Sequence, residues 1–129
     1  MSTARILLVE DELPLLQLME KHLKRLGYEV EARSKAMDAL ASFSAAPNSY
    51  DLVIADLGMP DMPGDTLLTR LLAVKPRLLY LICSGSPFFV ASLPAEVRRQ
   101  VVFLQKPFLP KMLSKAIEQL LARRSTEGS

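Results

Sequence analysis

The most constraining feature of this chain is a regular alternation between short apolar runs and longer segments with helical periodicity. Apolar runs typical of strands cover residues 5–9, 51–55, 78–83 and 101–105, and residues 28–32 alternate between polar and apolar as a shorter strand nearer an edge. Amphipathic helices are predicted over residues 13–26, 35–45, 65–74 and 111–123. Because consecutive parallel strands need crossover connections, this order predicts an α/β domain with one doubly wound, five-stranded parallel sheet.

Proline and glycine residues mark the ends of these elements. Gly27 follows the first helix and Pro76 follows the third. Between the fourth and fifth strands, Pro87 and Pro94 bracket a short segment. Since proline disrupts a helix interior, this fourth crossover is predicted to contain a short or broken helix.

Chain length and composition indicate one globular domain. The 129 residues, of which 50% are hydrophobic, suit a domain over residues 1–124 followed by a flexible tail over 125–129. The single cysteine, Cys83, excludes an internal disulfide and a cysteine-rich zinc site, which favours a reducing, cytoplasmic location. No apolar run approaches the roughly 20 residues of a membrane span, and no secretory signal is visible.

The charge balance argues against direct DNA binding. Sixteen basic and 14 acidic residues give a formal net charge of +2. Two short basic clusters, Arg98-Arg99 and Arg123-Arg124, are interpreted as solvated helix ends. Membrane attachment and nucleic-acid binding are therefore not expected.

Polar side chains follow four of the five predicted strands. Glu10-Asp11 follows the first strand, Asp56 the third, Ser84 the fourth and Lys106-Pro107 the fifth, whereas Arg33-Ser34 after the second offers nothing comparable. In a sheet with the strand order 2-1-3-4-5, these four strands are neighbours and their carboxyl ends meet at one edge. We therefore expect three carboxylates, a hydroxyl and an ammonium to share one pocket.

Such a cluster of acids requires a cation. Two carboxylates about 4 Å apart repel by about 1 kcal/mol in water and about 4 kcal/mol at an effective dielectric constant of 20. Oxygen ligands without histidine or thiolate favour Mg²⁺, or Mn²⁺ as an alternative, over Zn²⁺. The sequence thus predicts a magnesium site formed by Glu10, Asp11 and Asp56.

These residues occur within four short motifs that appear in a fixed order. The motifs are Glu10-Asp11, Asp56-Leu57-Gly58-Met59-Pro60 with Gly64, Ser84-Gly85, and Lys106-Pro107-Phe108. Together they resemble a CheY-like response-regulator receiver domain of two-component signalling, over residues 5–123. The resemblance implies the flavodoxin-like strand order 2-1-3-4-5.

The resemblance also implies a role for each matching residue. Asp56 would accept a phosphoryl group, and Glu10, Asp11, Asp56 and the backbone carbonyl of Gly58 would hold Mg²⁺. Ser84 and Lys106 would bind the phosphoryl oxygens. Phe103, three residues before the lysine, would be the switch aromatic that turns inward with Ser84, although it lacks a hydroxyl with which to bond outward. The Lys106-Pro107 bond fits the cis peptide common in this family.

Three features depart from the family pattern. Ser84 replaces the commoner threonine but keeps the hydroxyl, and Leu109-Pro110 stands where a polar helix cap is often found. The proline-bracketed fourth crossover falls on the usual partner face and leaves the downstream partner unidentified.

Each motif has a plainer interpretation when it is taken alone. The acids at residues 10–12 could cap the first helix, Asp56 and Ser84-Gly85 could belong to turns, and Lys106 could be a solvated strand end. Other reactive side chains are interpreted as structural: His22 on a polar helix face, Cys83 in the core, and Met59 and Met62 in loop packing.

The implied function is that of a signalling phosphoacceptor. Its partners would be a sensor histidine kinase or phosphotransfer protein and an unknown downstream protein, with a phosphorylation-dependent dimer also compatible with the family. The alternatives are a pseudo-receiver that only binds proteins and an aspartyl phosphohydrolase. The second is disfavoured because Gly58, rather than a second acid, stands two residues after Asp56.

Overall fold

The computed structural model describes residues 4–88 and 90–127, with side chains in the last helix as far as Arg123. Five parallel strands form one sheet in the predicted order β2-β1-β3-β4-β5. The strands are β1 (Arg5–Val9), β2 (Glu29–Arg33), β3 (Leu52–Asp56), β4 (Leu79–Ser84) and β5 (Val101–Gln105). The helices are α1 (Leu13–Arg25), α2 (Ala36–Ala45), α3 (Gly64–Val74), α4 (Ala95–Arg98) and α5 (Pro110–Glu127).

The central strands are buried because their side chains are apolar on both faces. Every residue of β3 and β4 is buried, whereas the edge strand β2 is mostly half-buried. Alternate strand residues enter two hydrophobic clusters, one on each side of the sheet. One cluster contains Val53, Tyr80 and Ile82 with side chains of α2 and α3, and the other contains Ile54, Leu81 and Cys83 with side chains of α1 and α5.

The first and last helices are amphipathic as predicted, except that Leu13 and Met112, which belong to their apolar patterns, are 55% and 42% exposed. Leu16, Met19 and Leu23 form the buried face of α1. The chain leaves this helix at Gly27, whose φ of 99° lies in the left-handed region that glycine adopts at little steric cost. These helix faces cover the side of the sheet opposite α2 and α3.

The fourth crossover contains only short helical pieces, as predicted. A 3₁₀ turn covers Val90–Ser92, and α4 has four residues, none of them buried. Pro94 precedes α4 directly. This side of β5 is therefore covered by an irregular segment.

Several element boundaries differ by one or a few residues from those predicted. Strands β2, β3 and β4 begin and end one residue later, so Asp56 and Ser84 are the last residues of β3 and β4. Helix α5 continues to Glu127 and takes in residues 125–127 of the predicted tail, whose last two residues lie outside the described part. None of the helices in the described ranges is long and apolar enough to cross a membrane.

Candidate phosphoacceptor site

The strand register brings the predicted site residues to one edge of the sheet. Val9 pairs with Ala55, Asp56 with Cys83, and Ser84 with Gln105. The carboxyl ends of β1, β3, β4 and β5 therefore lie side by side. Glu10, Asp56, Ser84 and Lys106 stand at these ends although they are far apart in the chain.

Three carboxylates meet at this edge. One oxygen from each of Glu10, Asp11 and Asp56 lies within 4.8 Å of the other two. Glu10 is 1% exposed and Asp56 is 8% exposed, while Asp11 is half-buried. Carboxylates this close and this poorly solvated repel one another strongly, so the cluster depends on a positive charge.

Lys106 supplies one positive charge from the start of the loop after β5. Its Nζ donates to Glu10 Oε1 at 2.7 Å and to Asp56 Oδ2 at 3.0 Å. Glu12 Oε1 lies farther away, at 3.9 Å. The Lys106 backbone N–H also donates to the Ser84 carbonyl oxygen at 2.8 Å. The Lys106-Pro107 bond is cis, as the resemblance implies.

Burial and ion pairing shift the pKa values of the two best-connected groups in the cluster. Burial raises the pKa of Glu10, and the hydrogen bond from Lys106 opposes this shift only in part. Burial alone would lower the pKa of Lys106, but its hydrogen bonds to Glu10 and Asp56 raise it overall. The lysine is therefore a protonated, cationic partner at neutral pH.

The other oxygens of the buried acids are held by backbone groups. Glu10 Oε2 accepts the Glu12 N–H at 3.1 Å, and Asp56 Oδ1 accepts the Gly58 N–H at 3.0 Å. Asp11 accepts no hydrogen bond from residues 4–88 or 90–127. Asp11 thus has fewer hydrogen bonds within the described residues than Glu10 or Asp56.

This donor set fits a hard divalent cation. Three carboxylates and one ammonium carry a formal charge of −2, and all the atoms available to bind a metal are oxygens. Mg²⁺ commonly binds through one or two carboxylates while it retains several waters. The chemistry of these side chains therefore matches the predicted metal.

Ser84 lines the same pocket as Asp56. The pocket has a volume of about 600 Å³ and is also lined by Gly58, Ser86 and Lys106. Ser84 Oγ accepts the Ser86 backbone N–H at 3.0 Å, and in the described part of the chain its hydroxyl hydrogen has no acceptor. The hydroxyl can therefore donate to a group that enters the pocket.

Phe103 lies in β5 beside the loop that follows Ser84. It is half-buried, and its ring centroid is 6.4 Å from that of Phe88 with the planes tilted by 43°. Its strand partner on β4 is Ile82, two residues before Ser84. The predicted switch aromatic thus packs between strand and crossover, with one side open to solvent.

The residues interpreted as structural lie in packed positions. Cys83 is buried, and burial raises its pKa to about 12, which keeps the thiol neutral. Met59 and Met62 are each 5% exposed and belong to the core. His22 is half-buried and contacts Ser114 of α5 at 3.0 Å through Nε2.

Two polar contacts in and near the site were missed by reasoning from the sequence. One is the Ser86 backbone N–H, which orients the Ser84 hydroxyl. The other is Asp61, whose carboxylate accepts N–H groups from Ala36 and Met37 at the start of α2. The capping carboxylate lies 25 residues away from Ala36 in the chain, so no local pattern points to it. The sequence shows only that Lys35, at the start of α2, is not a capping residue.

Comparison with known proteins agrees with this geometry. The family profile of the response regulator receiver domain matches residues 6–118. This chain belongs to the response regulator receiver domain family. The receiver domain therefore belongs to two-component signalling, and its fold is that of CheY-like receivers.

Curated relatives place similar receiver domains in larger proteins. The receiver domain is 32% identical over 124 residues to the sensor kinase CckA of Brucella abortus (strain 2308), covering 95% of this chain and 13% of that protein. It is 31% identical to the transcriptional regulator NtrC of Azospirillum brasilense, covering 94% of this chain and 25% of that protein. The chain thus spans a quarter or less of both relatives.

Solved structures match it over almost their full length. A receiver domain protein from Clostridium thermocellum has 28% identity and a TM-score of 0.83, covering 95% of this chain and 98% of that one. The receiver domain of the hybrid histidine kinase CckA has 30% identity and a TM-score of 0.77, covering 91% and 99%. The similarity therefore concerns the domain as a unit.

Proposed function

We propose that Asp56 accepts a phosphoryl group from a sensor histidine kinase or phosphotransfer protein. The observation that carries this proposal is the ammonium of Lys106, 3.0 Å from Asp56 in a pocket that Ser84 also lines. Mg²⁺, or Mn²⁺ in its place, would be held by Glu10, Asp11, Asp56 and the carbonyl of Gly58. When bound, the metal neutralises charge on the phosphoryl oxygens.

Transfer of the phosphoryl group is a nucleophilic displacement at phosphorus. A carboxylate oxygen of Asp56 forms the new P–O bond as the P–N bond to the donor histidine breaks. The imidazole keeps the bonding electron pair and takes up a proton. Hydrolysis later adds water, releases inorganic phosphate and restores the carboxylate. The protein contributes mainly position and positive charge to these steps.

Lys106 and Ser84 respond to the new phosphoryl group. Phosphorylation adds a charge of roughly −1.5 to −2 and several strong acceptor oxygens. We infer that the Lys106 ammonium transfers a hydrogen bond to a phosphoryl oxygen and that the unused Ser84 O–H donates to another. The loop after β4 then shifts, and Phe103 turns inward as the switch element.

The pocket continues into an exposed apolar groove that fits a protein donor. Leu15 and Phe108 line both the pocket and the groove, which also contains Leu18, Met19 and Leu113. Leu18 is 62% exposed and adjoins the other apolar side chains of this groove, and contiguous apolar patches mark interaction sites. Because the groove borders the phosphoacceptor pocket, we propose the phosphohistidine protein as its occupant.

We propose that this domain acts in signalling and assists only its own phosphorylation and dephosphorylation. Gly58, two residues after Asp56, offers no general acid for repeated turnover on an outside substrate. The downstream protein, a phosphorylation-dependent dimer and a cytoplasmic location remain predictions. So does the absence of direct DNA and membrane contact.

Phosphorylation by acetyl phosphate and Mg²⁺, followed by intact-mass spectrometry, tests the proposal. We expect one added phosphate on the wild-type protein and none on Asp56→Asn. Asp65→Asn is the matched control, because it removes an exposed acid at the start of α3. An unmodified wild-type protein would favour the pseudo-receiver, and a labelled Asp56→Asn protein would place the nucleophile elsewhere. Phosphotransfer from candidate kinases would then identify the donor.

A further inference from the structure

The loop that follows Asp56 is tied to a neighbouring helix by a single side chain. Asp61 Oδ1 accepts the Ala36 N–H at 3.1 Å, and Asp61 Oδ2 accepts the Met37 N–H at 2.9 Å. These are two of the N–H groups that a helix start leaves without partners. Helix α2 has no side-chain cap of its own, since Lys35 occupies the capping position. Asp61 therefore serves as the cap from another part of the chain.

The base of this loop, residues 57–63, is closed tightly. The Gly64 N–H donates to the Leu57 carbonyl at 2.9 Å. A Cβ at Gly64 would lie only 2.5 Å from Leu57 Cα, so the two backbone segments are in direct contact. The buried side chains of Met59 and Met62 hold the inner side of the loop.

The outer side of the loop has fewer restraints. Gly58, Pro60 and Asp61 are exposed. Within the described ranges, the hydrogen bonds that join this loop to α2 are those of Asp61. At the base of the loop, the Gly58 N–H donates to Asp56 Oδ1 at 3.0 Å and the Leu57 N–H donates to the Cys83 carbonyl at 3.4 Å. The carbonyls of Leu57 and Pro63 accept N–H groups of α3. Asp61 also lines one surface groove together with Asp11, which is one of the three acids proposed to bind the metal.

We propose that Asp61 is a positioning residue for the metal site, because it holds the loop on α2 and thereby limits the movement of Gly58, whose carbonyl would bind the metal. This inference rests on the proposed function. Mg²⁺ demands near-ideal geometry, and a carbonyl on a loosened loop must be ordered again each time the metal binds. The hydrogen bonds from Met37 and Ala36 lower the pKa of Asp61, so the tether is ionised at neutral pH.

The test is the Mg²⁺ affinity of Asp61→Ala, measured by ¹H–¹⁵N NMR titration with MgCl₂. Residues that orient metal ligands typically change affinity by about 10- to 100-fold, and we expect the lower end because Asp61 acts through backbone. At saturating Mg²⁺, the rate of phosphorylation by acetyl phosphate should return close to that of the wild-type protein. This separation of affinity from maximal rate is not expected for a cap that only stabilises the fold.

Matched variants distinguish the loss of the loop tether from the loss of a negative charge and from a general loss of stability. Asp65→Ala removes an equal charge four residues further on, where the side chain caps only Thr66 of its own helix. Tyr50→Phe deletes a hydrogen bond to Glu31 at the distant edge of the sheet and lowers stability without touching the loop. Both should keep the wild-type Mg²⁺ affinity. If Asp61→Ala does not fold, Asp61→Asn keeps one acceptor oxygen and should show an intermediate loss.

The outcomes are distinct. Equal Mg²⁺ affinity in Asp61→Ala and wild type, or an equal loss in Asp65→Ala or Tyr50→Phe, would overturn the positioning role. A wild-type protein that binds no Mg²⁺ and accepts no phosphoryl group would instead overturn the proposed function on which it rests.

Discussion

Replacing Lys106 by methionine removes the ammonium from between Glu10 and Asp56 while keeping an unbranched chain of similar length. At an effective dielectric constant of 20, charges 2.7 and 3.0 Å apart attract by about 6 kcal/mol each, and desolvation offsets much of this. Breaking a buried pair typically costs 3–5 kcal/mol. Since 16% of the Lys106 side chain is still exposed, we expect a loss near the lower end, about 3 kcal/mol.

The lost stability should depend on pH in a defined direction. Burial already raises the pKa of Glu10 above its ordinary value of 4.5, and losing the Lys106 hydrogen bond removes the main opposing contribution. A carboxyl with a raised folded-state pKa destabilises the protein when it is ionised. The defect should therefore shrink as the pH falls through the raised pKa of Glu10 and should be smallest below pH 4.5, where the group becomes protonated in both states.

Mg²⁺ should raise the free energy of unfolding, which the Lys106→Met substitution lowers. Without the ammonium, the three carboxylates have no ion-pair partner within 4 Å among the described side chains, so Lys106→Met should bind Mg²⁺ more tightly than wild type. A ligand that binds only the folded state adds RT ln(1 + [Mg²⁺]/Kd) to the free energy of unfolding. The stability gained on adding Mg²⁺ should consequently be larger in the variant.

Urea unfolding followed by circular dichroism, with EDTA or with MgCl₂, measures both effects. Lys111→Met is the control, because it removes an equal charge from an exposed position on α5. Its stability and Mg²⁺ increment should match those of the wild-type protein. If Lys106→Met has wild-type stability in EDTA, or gains no more than the wild type from Mg²⁺, the lysine does not neutralise the acid cluster.

Two further predictions concern polar groups outside the pocket. Tyr80 is buried, and its hydroxyl has no hydrogen-bond partner among the described residues, so Tyr80→Phe should raise the free energy of unfolding by about 1–2 kcal/mol, and a loss would reveal a partner. Partial burial raises the pKa of Glu31, but the Tyr50 hydrogen bond, the Arg33 charge and the Arg5 hydrogen bond lower it overall. Its stabilising contribution is therefore present above pH 4.5 and lost as the pH falls through the folded-state pKa. Glu31→Gln should unfold more easily at neutral pH and show a shallower acid transition in a pH series.

The fold was predictable because the strongest signals in the sequence are local. The apolar runs of β3 and β4 are buried on both faces, and the interrupted fourth crossover follows from Pro87 and Pro94. Strand ends were less predictable. Asp56 continues the ladder by pairing with Cys83, because backbone hydrogen bonding does not require an apolar side chain. The pattern of hydrophobicity ends one residue before the strand does.

The site was predictable as a set of residues but not as a set of contacts. Motif order and strand ends brought Glu10, Asp56 and Lys106 together, whereas the sharing of one ammonium between two acids depends on side-chain length and rotamer. The cap of α2 by Asp61 is non-local and leaves no periodic signal. Leu109-Pro110 stands where a polar cap of α5 is often found, and the Leu109 N–H donates instead to the Met112 sulfur at 3.5 Å.

The contacts of Lys106 also connect Asp56 with β5, the strand that carries Phe103, through a few direct interactions. The ammonium contacts Asp56, and the Lys106 backbone N–H is bonded to the Ser84 carbonyl. A phosphoryl group on Asp56 would pull on Lys106 and the Ser84 hydroxyl together, because both face the same pocket. Phe103 lies three residues before that lysine on β5, beside Ile82 of β4. We therefore expect movement at either strand end to change the packing of this aromatic ring.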